Sequence, residues 1–173
     1  MWVIRLSESL TTRKVFIGGY SALSWLLSSF SAVASEETVT AITDADSLRA
    51  GELRLRLHGI DAPELRQTCL DKASQPYRCG QEAADFLRSM IDIDAEIQCQ
   101  HLDTDRYKRW VVKCFHNGED IGEAVVRTGW AMAYRRYAKD YIEAENQAER
   151  AGRGIWQGSF TRPEIWRREQ RKK

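Results

Sequence analysis

The chain is 173 residues long, with 26 Lys and Arg against 25 Asp and Glu, so its formal net charge is +1 at neutral pH. That balance excludes a protein that gathers polyanions through overall charge, and any nucleic-acid site must be a local concentration of basic groups. The length suits one domain burying roughly two-thirds of its unfolded surface, not two.

Residues 1–34 read as a signal peptide, with an N-terminal membrane anchor as the alternative. Arg13-Lys14 precede an apolar run from Val15 through Trp25-Leu26-Leu27, and Ala32-x-Ala34 has the spacing of a cleavage site. Gly18-Gly19 and interspersed serines dilute the run below a good spanning helix. Removing it takes away Arg5, Arg13, Lys14 and Glu8, which leaves 23 basic and 24 acidic groups from the 26 and 25.

Residues 39–43 and 47–50 read as two strands joined by the turn Asp44-Ala45-Asp46-Ser47. In the next strand, 53–59, Leu53, Leu55 and Leu57 alternate with Arg54, Arg56 and His58, so the leucines enter a core and the basic groups face away. Pro63 has no N–H to donate and stops the ladder, leaving Asp61 and Glu64 on a rigid bend beside Arg56. Two carboxylates and a guanidinium at a strand end suit a hard cation and a phosphate. Residues 80–92 have helical spacing at Ala83, Phe86, Leu87, Met90 and Ile91, with Glu82 near the start. Strands follow at 96–101 and 109–115, the second opened by Asp105-Arg106-Tyr107-Lys108-Arg109 and closed by the turn pair Asn117-Gly118. Helices are expected at 121–129 and 139–151, the last ending at Gly152. Residues 159–173 form a basic C-terminal tail containing Arg162, Arg167-Arg168 and Arg171-Lys172-Lys173.

All four cysteines, Cys69, Cys79, Cys99 and Cys114, follow the export segment, and an even count there favours disulfides. Of three possible pairings we expect Cys69–Cys79, closing a short loop, and Cys99–Cys114, bridging neighbouring strands; buried free thiols are the alternative. The spacings are not those of a C-x₂-C zinc site.

The three motifs together resemble the staphylococcal nuclease (thermonuclease) family, whose pattern is Asp-Gly-Asp-Thr, then Arg-x-x-x-x-Asp-x-Pro-Glu, then Asp-x-Tyr-x-Arg. The match covers about residues 39–156, with 35–158 as the nuclease-like domain. Ala45 and Ser47 depart from the family's Gly and Thr, and alanine's poor access to positive φ predicts a small displacement of the carboxylate beside it. The resemblance implies an α+β fold, a five-stranded OB-fold β-barrel with three α-helices, which the coarse element order also matches. It further implies calcium held by Asp46, Asp61 and the backbone carbonyl of Ala62, with Arg56, Glu64 and Arg109 as catalytic residues. Tyr107, Arg135 and Tyr137 are candidate substrate-binding residues, with Arg135 standing where the family has a tyrosine.

Other residues invite simpler readings. His58, His101 and His116 are grouped with no Cys or Ser nucleophile, so structural or solvent roles are expected. Tyr134, Tyr137 and Tyr141 with Trp130 have the chemistry to stack on nucleobases. Trp110, Trp130 and Trp156 read as core. Two classes of function are compatible with the motifs: an exported, periplasmic or secreted monomeric calcium-dependent nuclease acting on DNA and RNA, leaving 3′-phosphates, or a lapsed barrel that only binds nucleic acid or protein. A lapsed site should lack one of the two arginines or three carboxylates, and none is missing. A polysaccharide-associated role in the cell envelope finds no residue in its support.

Overall fold

A computed structural model describes residues 34–172. The signal-peptide or anchor segment therefore lies outside the described residues, apart from Ala34.

The central sheet contains β1 (Ser35–Thr38), β2 (Ala41–Asp44), β3 (Ser47–Ala50), β4 (Leu53–Leu57), β8 (Glu96–Thr104), β9 (Trp110–His116) and β10 (Glu119–Asp120). Between β4 and β8 come the short strands β5 (Ile60–Asp61), β6 (Cys69–Leu70) and β7 (Pro76–Tyr77), then α1 (Cys79–Met90). After β10 follow α2 (Ile121–Arg127), β11 (Met132–Ala133), α3 (Ile142–Ala151), a 3₁₀ turn at Gly154–Gln157 and α4 (Pro163–Gln170). The sheet order is β1-β8-β9-β4-β3-β2, with β10 on β9 and one parallel pair, β4 with β9. This curled, half-barrel sheet with helices is an OB-fold-like α+β fold.

The leucine alternation of β4 fixes its faces. Leu55 and Leu57 are buried with Leu48, Ile97, Val112, Leu87 and Val125 in one continuous core, while Arg54 is exposed and Arg56 half-buried on the other face. The apolar stripe of α1 supplies Ala83, Leu87 and Ile91 to that core. Asn117 and Gly118 both adopt positive φ, 50° and 81°, the pairing of a type I′ hairpin turn. The Asp120 carboxylate caps α2 by accepting from the Glu123 N–H at 3.1 Å, and Gly152 ends α3 in the left-handed conformation.

Both expected disulfides are present. Cys99 and Cys114 are directly opposed in the β8–β9 register, and Cys69–Cys79 staples the β6–β7 loop to the start of α1. The 15-residue Cys99–Cys114 separation stabilises the fold by up to ~3 kcal/mol in the chain-entropy account. No described helix is long and apolar enough to cross a membrane.

The structure corrects two element expectations. The strand expected at 39–43 begins later, as β2 on β3, and a strand not expected, β1 on β8, precedes it, because the chain turns at Val39, whose N–H and C=O bond Ala95 and Asp94. The Ser-Glu-Glu-Thr of β1 carries no apolar period and is held by main-chain pairing alone. The basic tail contains a fourth helix, α4, with Pro163 at its first turn and Arg167 and Arg168 in its last.

Gly80 shows how closely the fold packs behind the bend at Glu64. The α1 N-terminus has no side-chain cap; the Gly80 N–H instead donates to the Gln67 carbonyl at 3.2 Å. A Cβ at Gly80 would lie 1.8 Å from the Glu64 carbonyl oxygen, so backbone has to move. Gly80→Ala is expected to destabilise by more than the ~1–3 kcal/mol of ordinary overpacking, measured by urea unfolding. A loss below about 0.5 kcal/mol, the range of neutral surface changes, would show that the contact is not tight.

Candidate active site

Three chain segments meet at the open end of β4. The β2–β3 turn presents Asp44 and Asp46, β4 ends with Arg56, and β5 and the Ala62-Pro63 bend carry Asp61 and Glu64. β5 is fixed by β11, where Asp61 stands opposite Met132, and the Tyr134 N–H donates to the Gly59 carbonyl at 2.8 Å.

Arg56 joins the two halves. Its Nη1 donates to Asp46 Oδ1, while its Nη2 donates to Asp61 Oδ1 at 3.1 Å. Asp46, only 2% exposed, also accepts from Ser47 Oγ at 3.0 Å and, through Oδ2, from the Ala62 N–H at 2.9 Å. The Ser47 hydroxyl thus does what a threonine hydroxyl could do at that position. Ala45 is buried with φ outside the left-handed region, so the turn does not call on glycine's conformational freedom there.

A group not anticipated from the sequence completes the cluster. Arg167 of α4 reaches back so that Nη1 lies 2.9 Å from both Asp61 Oδ1 and Glu64 Oε1, with Nη2 3.2 Å from Asp61 Oδ2. Glu64 is further set by Gln67, whose Oε1 accepts the Glu64 N–H at 3.3 Å and whose Nε2 donates to the Thr161 carbonyl at 2.7 Å.

The electrostatics follow from crowding carboxylates out of water. Burial, then the neighbouring Asp46 charge, pushes Asp44 up to about 8. Burial also raises Asp61, against the opposing pull of Arg167. For Asp46, burial is the largest influence and would raise it. The Arg56 guanidinium and the hydrogen bonds it accepts win, holding it below the usual aspartate range. Between the ordinary Asp44 value of 3.8 and about 8, the folded chain keeps a proton that the unfolded chain has lost. Stability of the cation-free protein should therefore fall as pH rises across that window. The Asp46 contribution has the opposite sign and is lost only on acidification below about 4. Urea unfolding in chelator at about pH 5 and about pH 9 checks this, and equal or higher stability at the alkaline end would contradict it.

The side-chain oxygens here are the carboxylates of Asp44, Asp46, Asp61 and Glu64, set against the guanidinia of Arg56 and Arg167. That chemistry fits a hard divalent cation. Among the described residues, no three His, Cys, Asp or Glu side chains stand in metal-holding geometry. The guanidinia lie between the carboxylates instead.

The remaining expected residues are not in direct contact with this cluster. Arg109 immediately precedes β9, whose parallel register pairs Val111 with Arg56, so strand alternation puts Arg109 on the Arg56 face two residues away. Asp105 orients it, accepting from Nε at 2.8 Å and Nη2 at 2.7 Å. Tyr107 is 51% exposed, with its ring 5.6 Å from the Arg109 guanidinium. Tyr137 is 63% exposed and packs edge-on against Tyr134. Arg135 is committed elsewhere: it donates to Glu145 Oε2 at 3.1 and 2.5 Å, while the Ala133 N–H donates to Oε1 at 3.1 Å. This satisfies a buried carboxylate and ties α3 to β11. Tyr141 is not available for stacking, being buried with its hydroxyl donating to the Asp120 carboxylate.

An OB-fold-like sheet with this carboxylate and guanidinium cluster at its strand ends defines a class, and residues 54–158 match the family model described as "Staphylococcal nuclease homologue". The chain belongs to the staphylococcal nuclease family. Among individual relatives, it is 32% identical over 140 residues to the "Succinoglycan biosynthesis protein ExoI" of Rhizobium meliloti (strain 1021), covering 79% of this chain and 73% of that one. It is 26% identical over 167 residues to an "Uncharacterized endonuclease" of Haemophilus influenzae, covering 92% and 88%. Against the "Probable staphylococcal-like nuclease CAN3" of Oryza sativa subsp. japonica identity is 32% over 129 residues, but the aligned part covers 73% of this chain and only 31% of the rice protein.

Proposed function

We propose that the chain is a calcium-dependent phosphodiesterase that cleaves DNA and RNA with little sequence preference and leaves 3′-phosphate ends. The observation that carries this reading is Arg56 bridging Asp46 and Asp61 beside Glu64, with Arg56, Asp61 and Glu64 inside the segment that matches the nuclease family. Asp46, Asp61 and the Ala62 carbonyl would hold the cation. When bound, it would supply charge neutralisation at a phosphate oxygen and an oriented water.

The chain's own groups divide the remaining work. Glu64 takes a proton from the water that attacks phosphorus, or positions it, while the bond to the 5′-oxygen breaks. Arg56 and Arg109 face the charge that grows on the phosphoryl oxygens as a phosphorane-like transition state forms. Asp105 holds the Arg109 fork in a fixed orientation, which lowers the reorganisation needed at that moment. Tyr107 and Tyr137 are exposed aromatics suited to contacting nucleotide bases; Arg135 would have to leave Glu145 to do so.

Two disulfides support a periplasmic or secreted enzyme, since such bonds persist in oxidising compartments. The lapsed-module alternative is disfavoured because all five side chains that the chemistry asks for are present. Mapping the ends of cleaved 5′-labelled oligonucleotides tests the bond assignment: 3′-phosphates are expected, and 3′-hydroxyls would refute it.

A further inference from the structure

Arg167 is the one cluster member that the three nuclease motifs do not contain. Asp61 Oδ2 and Glu64 Oε1 accept hydrogen bonds from it, its Nη1 also lies 2.9 Å from Asp61 Oδ1 as an ion pair, and Asp61 Oδ1 accepts from Arg56. Guanidinium charge thus stands on both Asp61 oxygens, where an incoming cation would meet like-charge repulsion. Yet the arginine sits on a weakly held element. Only Pro163 of α4 is buried, and among the described residues Arg167 makes every side-chain hydrogen bond and ion pair that ties α4 to the rest of the chain. A helix of eight residues has little stability of its own, and the Arg167–Glu64 pair, 26% and 30% exposed, contributes modestly, which leaves the pair with the buried Asp61 as the stronger tie.

The segment leading to α4 is, by contrast, firmly anchored. Leu70 and Ser159 exchange main-chain hydrogen bonds at 2.8 and 3.0 Å, Gln67 holds the Thr161 carbonyl, and Cys69–Cys79 staples the loop to which both belong. The base of α4 is therefore fixed by main-chain and side-chain bonds, whereas its only polar ties beyond that base, among the described residues, are those of Arg167.

We propose that Arg167 is a displaceable guanidinium plug: docked, it occupies Asp61, a ligand of the proposed cation, together with Glu64, and loading the site requires α4 to let go. The inference rests on reading those carboxylates as a cation site. An internal competitor docked for nine-tenths of the time raises the apparent dissociation constant about tenfold. Release would also free Glu64 for its proposed proton transfer.

The test uses terbium, a luminescent stand-in for calcium, titrated into the purified full chain and into Arg167→Ala, Arg167→Met and Arg168→Ala. Both Arg167 variants should bind about tenfold tighter than the parent, and Arg168→Ala, which alters an exposed neighbour, should match it. Arg167→Met keeps the apolar stem and secures the comparison should Arg167→Ala fold poorly. Hydrogen exchange supplies an independent readout, since amides of residues 164–170 should exchange faster once the parent is saturated with cation. Unchanged or weaker terbium binding by the Arg167 variants, or unchanged exchange in α4, overturns the plug while leaving the cation site intact. Weaker nucleotide binding with unaltered terbium affinity would instead make Arg167 a substrate contact. No binding by any form would remove the cation reading and the plug with it.

Discussion

Arg56→Lys is expected to lower kcat by about 10²–10³-fold while changing nucleotide binding far less. The geometry explains the size. Arg56 reaches Asp46 with one terminal nitrogen and Asp61 with the other, a planar fork that an ammonium cannot reproduce even though it keeps the charge. Arg56→Ala should go further and unfold the region, because breaking a buried pair typically costs about 3–5 kcal/mol. Both carboxylates that would lose their partner are buried. Steady-state kinetics on the Lys variant and urea unfolding on the Ala variant separate the two effects. A Lys variant within about twofold of the parent rate would remove Arg56 from the chemistry; Arg109→Lys is expected to follow the same pattern through loss of its Asp105-oriented fork.

Glu64→Gln should reduce turnover by about 10²–10⁴-fold, the range for losing a general base, with the fold preserved. The change is nearly isosteric, and the main-chain bonds between Glu64 and Gln67 do not involve the altered atoms. The amide keeps one carbonyl oxygen for Arg167 but loses the charge, so terbium affinity should stay equal or tighten slightly. A kcat close to the parent value, with intact fold and cation binding, would exclude Glu64 as base or water-positioning group.

Much of this site is written in local patterns. The period-two alternation of Leu53, Leu55 and Leu57 fixes the face of Arg56, although that strand ends at Leu57 in a turn at Gly59, and Pro63 instead follows the short β5 that carries Asp61. Even the disulfides follow from cysteine count and strand order. What escapes is information carried by long-range packing. β1 is polar and owes its existence to pairing with β8, far along the chain, so no periodicity announces it. Arg167 lies 106 residues from Asp61, and its position depends on the Leu70–Ser159 and Gln67–Thr161 bonds that fold the C-terminal segment back. Pro163 followed by Glu164, with basic residues a turn later, was the available hint of a helix there. Arg135 and Tyr141 mislead for the same reason: their chemistry suits a ligand, but Glu145 and Asp120 already engage them.

The most direct measurement is cleavage of single- and double-stranded DNA and of RNA by the purified protein with calcium, magnesium or chelator, run beside Arg56→Lys. The account predicts calcium-stimulated cleavage of all three substrates that chelator abolishes, added calcium restores and the variant lacks. Cation-independent cleavage would contradict the calcium dependence, and no cleavage of any nucleic acid under any condition would contradict the nuclease reading and leave a barrel that binds without cutting.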